Sequence, residues 1–198
     1  MELILASNSP RRKSLLTEIT PDFKVIPSEY DEETLKSTIA SPEELVKRLS
    51  YEKANEVFLK HFYGQKKDCA IIGSDTLVVL NDKILGKPKD KQDAFSMLSQ
   101  LQGKANHVLT ATTVILQRKD TVVTTTTLSD NTVQFKPMSK EEISSYIATK
   151  EPLDKAGAYA IQGIGKQYIK GYEGDFNAIV GLDTTNLKKI FETYHILS

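Results

Sequence analysis

"HVLTATTVILQRKDTVVTTTTLSDNTVQF", residues 107–135, narrows the class of fold more than any other stretch. β-Branched residues dominate both sides of Lys119-Asp120, a pattern that predicts a long β-hairpin turning at that pair. Two consecutive strands with no helix between them break the β-α-β alternation that a plain doubly wound sheet requires. The expectation is a mixed α/β (α+β) protein with a mixed, twisted sheet flanked by helices.

The flanking segments fit that expectation. "ELILA" (2–6) reads as a strand and "PRRKSLLTEI" (10–19) as a helix, with Ser9 as cap, Pro10 at the first position, and Leu15, Leu16 and Ile19 on one face. "FKVIPSEYDEE" is a short strand entering an acidic loop, and "SPEELVKRLSYEKANEVFLKHF" is a helix capped by Ser41. "CAIIGSDTLVVL" (69–80) is a nearly continuous apolar strand that turns back through Asn81-Asp82 into "NDKILGKP". "DKQDAFSMLSQL" and "SKEEISSYIAT" are helices on either side of the hairpin, and "TTNLKKIFETYHI" closes the chain as another. Six of the ten glycines fall between Gly157 and Gly181, where the backbone must turn sharply or approach something closely.

With 198 residues, 39% of them hydrophobic, the chain can bury one sizeable core, and no composition break divides it. One domain over 1–198, with room for two lobes, is expected. Lys plus Arg and Asp plus Glu balance at 26 each, which argues against a general nucleic-acid-binding surface, so any phosphate affinity must be local. The single cysteine, Cys69, reads as core, and His61, His107 and His195 have no metal-ligand spacing. The first apolar run ends at Ser7, too short for a signal core or a membrane span, so a cytoplasmic protein without membrane contact is expected.

Chemistry concentrates in four places. Arg11 and Arg12 stand at the start of a helix, where unpaired N–H groups, the positive dipole end and two guanidinium forks suit an anion; Ser7 and Ser9 add hydroxyl donors. The plainer reading is a capped helix with solvated arginines. Asp75 lies inside an apolar strand, where a carboxylate needs a partner or a cation, and Asp31 and Glu32 are candidates to meet it. Carboxylates without histidine or cysteine suit a hard cation such as Mg²⁺; the alternatives are a backbone-bonded aspartate and a solvated acidic loop. Lys53 on a mixed helix face reads most simply as solvated, whereas Lys87, between Gly86 and Pro88, can aim its charge from a constrained turn. In "DKAGAYAIQG", Gln162 has the amide to read a nucleobase edge, and Tyr159 either stacks on a ring or packs inward. An anion-binding helix end, oxygen ligands for a cation, extra cations and a base-reading loop together describe a nucleoside polyphosphate site.

"SNSPRR", "GSDTLVVLNDKILGKP" and "EPLDKAGAYAIQG", in that order and followed by "VGL", resemble the three signature segments of the Maf nucleotide pyrophosphatases. The resemblance implies a fold related to the inosine triphosphate pyrophosphatases, two lobes with a central cleft, and often a homodimer. It implies divalent-metal-dependent hydrolysis of a nucleoside triphosphate to monophosphate and pyrophosphate. By that resemblance Asp75 matches the proton acceptor, and Ser7, Arg11, Glu32, Lys53 and Lys87 match the phosphate and metal site. Arg12, Thr76 and Gln162 match positions associated with substrate choice. The form "DKAGAYAIQG" resembles the branch acting on dTTP and UTP, which implies a house-cleaning role toward those and modified pyrimidine nucleotides. Two departures stand out: Asn106 precedes His107 where the family places its histidine, and Asp175-Phe176 and Asp183 replace the usual "GSY" and "GLP".

The expected mechanism places Mg²⁺ or Mn²⁺ on Glu32 and Asp75, while Arg11, Lys53 and Lys87 neutralise the leaving pyrophosphate and Asp75 orients or deprotonates the attacking water. The rivals are a pyrophosphatase of inosine or xanthosine triphosphates and a nucleotide-binding regulator of cell division and septum formation.

Overall fold

A computed structural model of the chain describes residues 1–197. Its strands are β1 (Glu2–Leu5), β2 (Lys24–Val25), β3 (Cys69–Leu80), β4 (Lys83–Leu85), β5 (Ala105–Arg118), β6 (Thr121–Phe135) and β7 (Ile169–Glu173). Its helices are α1 (Pro10–Thr17), α2 (Glu33–Thr38), α3 (Pro42–His61), α4 (Lys91–Leu101), α5 (Lys140–Ala148), α6 (Phe176–Val180) and α7 (Thr184–Thr193). The strands form one mixed sheet in the order β2-β1-β3-β5-β6-β7, with β4 paired to β3. β1 runs parallel to both β2 and β3, whereas β4 is antiparallel to β3 and β7 to β6. The expected mixed sheet flanked by helices is therefore the observed one.

The predicted hairpin is present as β5 and β6, hydrogen-bonded neighbours in the sheet, and Lys119 turns between them at φ 51°. Asn81 and Asp82, at φ 49° and 61°, make the tight turn from β3 to β4; both residue types tolerate the left-handed region. Side-chain caps start α1 and α3 at Ser9 and Ser41 as the sequence predicts, and the structure adds Asp90 on α4 and a Ser139–Glu142 capping box on α5. α1 ends at Thr17, two residues before Ile19, and the acidic loop after β2 passes into α2, a short helix that no apolar periodicity announces.

The chain divides into two compact units. The first comprises 1–75, 110–128 and 181–198, the second 76–109 and 129–180; β3, β5 and β6 each contribute to both. In the first, Ile4, Ala54, Val57, Phe58, Ile71 and Ile115 make a core between sheet and α3. Cys69 belongs to it, and burial pushes its thiol up to about 11, consistent with packing rather than redox chemistry. In the second, Val78, Leu98, Val133, Phe135, Ile143 and Tyr146 form the core, with α4 packed on α5.

Gly73 decides how close α3 lies to β3. A Cβ at this position would sit 2.2 Å from the Ser50 carbonyl oxygen and 2.8 Å from the Ala54 nitrogen, both backbone atoms of α3 that cannot swing away. A short hydroxyl chain supports the same contact: Ser50 Oγ lies 2.8 Å from Thr113 Oγ1, which lies 2.8 Å from Thr126 Oγ1. Gly73→Ala is accordingly expected to destabilise the protein by about 1–3 kcal/mol through overpacking. The urea midpoint checks this against Gly171→Ala, where nothing lies within 4 Å of the added methyl and the change should stay within about 0.5 kcal/mol.

Candidate active site

Because α3 rides directly on β3, a lysine one turn along the helix reaches an aspartate in the strand. Lys53 Nζ donates to Asp75 Oδ1 at 2.5 Å and pairs with Glu32 Oε1 at 2.7 Å. The side chains of Lys53 and Asp75 are only 14% and 11% exposed, so the simple expectation of a solvated Lys53 does not hold: its ammonium is the counter-ion that a carboxylate inside β3 requires. Glu32, at the start of α2, meets Asp75 through this shared ammonium. Asp31, the other candidate, accepts the Glu33 backbone N–H at 3.1 Å and caps the turn into α2.

The carboxylate oxygens are not equivalent. Asp75 Oδ1 is taken by Lys53, while among the described residues Oδ2 has no hydrogen-bond partner. Glu32 uses Oε1 on Lys53 and Oε2 on Lys36, the latter at 2.8 Å. Burial alone would raise the Glu32 carboxyl, but Lys53 and Lys36 outweigh it and hold it at about 2 against an ordinary 4.5. Among the described residues, Asp75 Oδ2 is thus the oxygen of this pair not already taken by a lysine.

The two arginines of α1 play different parts. Arg12 Nε donates to the Gly181 carbonyl at 2.8 Å and its Nη1 to Ser7 Oγ at 3.4 Å. Ser74 Oγ donates to the same Gly181 carbonyl at 3.0 Å, so one backbone oxygen joins the arginine to the residue preceding Asp75. Burial draws the Arg12 pKa down, Asp75 and Glu32 oppose this, and Arg11 reinforces it. Arg11 is half-buried, and its guanidinium makes no hydrogen bond or ion pair among the described residues. Ser7, Arg11, Arg12, Glu32, Lys53 and Asp75 all belong to the first unit.

Thr76, Lys87 and Gln162 belong to the second. Thr76 is half-buried and follows Asp75 on β3; Lys87 and Gln162 are exposed. The turn carrying Lys87 is tied to the "DKAGAY" segment, because the Gly157 N–H donates to the Gly86 carbonyl at 3.0 Å. Tyr159 does not offer a stacking face. Its ring packs edge-on to Phe135 at 4.8 Å between centroids, and its buried hydroxyl donates to Asn106 Oδ1 at 2.9 Å.

That bond also accounts for Asn106, whose Nδ2 donates to the Val133 carbonyl at 3.0 Å; His107 is exposed beside Asp130. The other departures from the family pattern are helix caps: Asp175 Oδ1 accepts from Ala178 N–H at 2.9 Å, and Asp183 Oδ1 from Asn186 N–H at 2.8 Å. Sequence reasoning overlooks Gly73, Lys36 and Gly181. A lone glycine in an apolar strand signals close backbone approach, and Lys36 sits four residues after Glu32; the Gly181 carbonyl leaves no trace in the sequence.

A family model described as Maf-like protein matches residues 2–194. A Clostridium botulinum (strain Eklund 17B / Type B) protein named dTTP/UTP pyrophosphatase is 42% identical over 192 residues, 97% of this chain and 98% of its own. An Aquifex aeolicus protein of the same name is 39% identical over 198 residues, covering 100% of this chain and 98% of its own. A Vibrio cholerae protein of solved structure overlaps 74% of this chain and 76% of its own at a TM-score of 0.35 and 11% identity, a likeness too loose to bear on fold or site.

The depressed Glu32 pKa links the site to acid stability. Its contribution is present above about pH 4.5 and is lost as pH falls through about 2, because the unfolded chain takes up the proton first. Urea midpoints across that window should fall for the parent protein, whereas Glu32→Gln should start on the order of 1–2 kcal/mol lower near neutrality and show a flatter acid limb. An acid limb of equal slope in both proteins would remove Glu32 from this linkage.

Proposed function

The chain belongs to the Maf-like protein family, and on that premise we propose that it is a nucleoside triphosphate pyrophosphatase that hydrolyses dTTP and UTP to the monophosphate and pyrophosphate. The observation that carries the reading is the Glu32–Lys53–Asp75 bridge: two carboxylates sharing one ammonium, with Lys53 and Asp75 largely buried, in the unit that also carries Arg11 and Arg12.

The donor set fits a hard divalent cation. Among the described residues no group of three or more His, Cys, Asp or Glu side chains gathers as a metal cage, and the carboxylates of this reading are Glu32 and Asp75. Mg²⁺ suits such a pair, since it commonly takes one or two carboxylates and completes its shell with phosphate oxygens and water; Mn²⁺ accepts the same hard ligands. Bound there, the ion would supply Lewis-acid polarisation of phosphate and lower the pKa of water.

The chain's own groups do the rest. Asp75 Oδ2, the oxygen left over by Lys53, orients the attacking water and accepts its proton. Attack at the α-phosphorus breaks its bond to the bridging oxygen, and the negative charge growing on the leaving pyrophosphate is met by Arg11, Lys53 and Lys87. Ser7 completes the phosphate contacts. Arg12, Thr76 and Gln162 select the base, with the Gln162 amide pairing to the pyrimidine edge. A cytoplasmic homodimer completes the proposal; among the described residues no helix is long and apolar enough to cross a membrane.

Pyrophosphate release from dTTP, UTP, CTP, dGTP, ITP and 7-methyl-GTP, with Mg²⁺ or Mn²⁺ and then with EDTA, tests the reading. The expected result is metal-dependent cleavage strongest for dTTP and UTP, and no cleavage of any nucleotide would overturn it. Asp75→Asn should abolish turnover while circular dichroism shows an intact fold. Full activity in that folded variant would reject the role given to Asp75.

A further inference from the structure

The segment that carries Gln162 is held by a residue with no part in the chemistry above. Glu151 opens a 3₁₀ turn, Glu151–Asp154, after α5, and its carboxylate folds back over the next loop. Oε1 accepts the Ile164 N–H at 3.0 Å; Oε2 accepts the Gly165 N–H at 2.8 Å and the Tyr146 hydroxyl at 2.8 Å. The Tyr146 oxygen in turn accepts the Ala160 N–H at 3.2 Å. Backbone groups at 160, 164 and 165 are thus fixed on both sides of Gln162 by one carboxylate and one phenol, and both belong to the same unit.

Two glycines of the segment are explained by this arrangement. Gly163 has φ 68°, and a Cβ there would fall 2.2 Å from Glu151 Oε1. At Gly165 a Cβ would fall 2.4 Å from the Tyr146 hydroxyl and 2.3 Å from the Ala160 carbonyl. The loop backbone is bare where it lies against the carboxylate, because a side chain would push the two apart. Tyr146 is fully buried and carries its proton firmly, since burial and the adjacent Glu151 both raise its pKa. It therefore donates to Glu151 throughout the working pH range. Gln162 itself is exposed, and among the described residues its side chain makes no hydrogen bond.

We infer that Glu151 is a positioning residue for base selection: its carboxylate, with the Tyr146 hydroxyl, sets the backbone from which Gln162 presents its amide to the nucleobase. The inference rests on the proposed reading of Gln162. Replacing the carboxylate by an amide removes acceptor capacity without changing size, so the loop loses at least one N–H bond and Gln162 loses its fixed bearing.

The test compares kcat/KM for dTTP and dGTP in the parent, Glu151→Gln, Gln162→Ala and the double variant. Glu151→Gln should lower the dTTP-to-dGTP ratio roughly tenfold, and the double variant should match Gln162→Ala alone, because both changes act through one amide. Amide hydrogen exchange at Ile164 and Gly165 should quicken in Glu151→Gln more than at amides of α4 and β5. Should that variant fail to fold, Tyr146→Phe, which keeps the ring and removes only the hydroxyl, should move the ratio in the same direction. Equal losses on both substrates with the ratio kept would mean a merely structural carboxylate and overturn the inference. A ratio that moves in Gln162→Ala but not in Glu151→Gln overturns the inference and leaves the Gln162 reading standing. A ratio unmoved in Gln162→Ala removes that reading and this inference with it.

Discussion

The first unit depends on one electrostatic constraint: a carboxylate placed inside an apolar strand must be matched by a cation. Asp75 on β3 would be costly to bury alone, and Lys53 from α3 offsets that cost only because Gly73 lets helix and strand backbones come into contact. Glu32 then shares the ammonium, and Lys36 shares Glu32, so charge passes along a chain of partners from the core to the surface. Such an arrangement holds the Glu32 carboxyl well below the usual carboxylate range. Both acids are held there by a side chain with four rotatable bonds rather than by rigid backbone donors.

Arg11 and Arg12 show how neighbouring residues of one type divide their work. Adjacent helical positions point about 100° apart. One guanidinium is therefore turned toward the Gly181 carbonyl and Ser7, where it braces the chain entering α7, and the other makes no hydrogen bond or ion pair among the described residues. The polar residues at the family departures show a related division. Asn106, Asp175 and Asp183 spend their hydrogen bonds on buried backbone, a tyrosine hydroxyl or helix ends. A polar side chain whose bonds are filled by its own fold contributes stability; one with an oxygen or nitrogen left over can contribute chemistry.

Much of this was legible before any coordinates. Caps and turn residues act within four or five positions, so Ser9, Ser41 and the Asn81-Asp82 pair announce their roles locally. The anomaly of Asp75 was visible as an acid in an apolar strand. Its partner was not, because Lys53 lies 22 residues away on a helix face with no distinguishing pattern, and only packing could select it. Tyr159 failed as a stacking platform for the same reason: an aromatic residue between glycines is equally compatible with exposure and with the core, until Asn106, 53 residues earlier, claims its hydroxyl.

By itself, then, the sequence determined the long elements, the mixed sheet, the inventory of acids and cations and the signature segments, since each rests on interactions between residues close in the chain or on the residue types themselves, whereas the short α2, α6 and β7 carry no such local pattern. Tertiary structure alone decided which charges meet: Lys53 with Asp75 and Glu32, Arg12 with Gly181, Glu151 with the loop around Gln162. Ion pairs and hydrogen bonds act over about 3 Å, and sequence separation says nothing about which groups the packing of backbones brings that close.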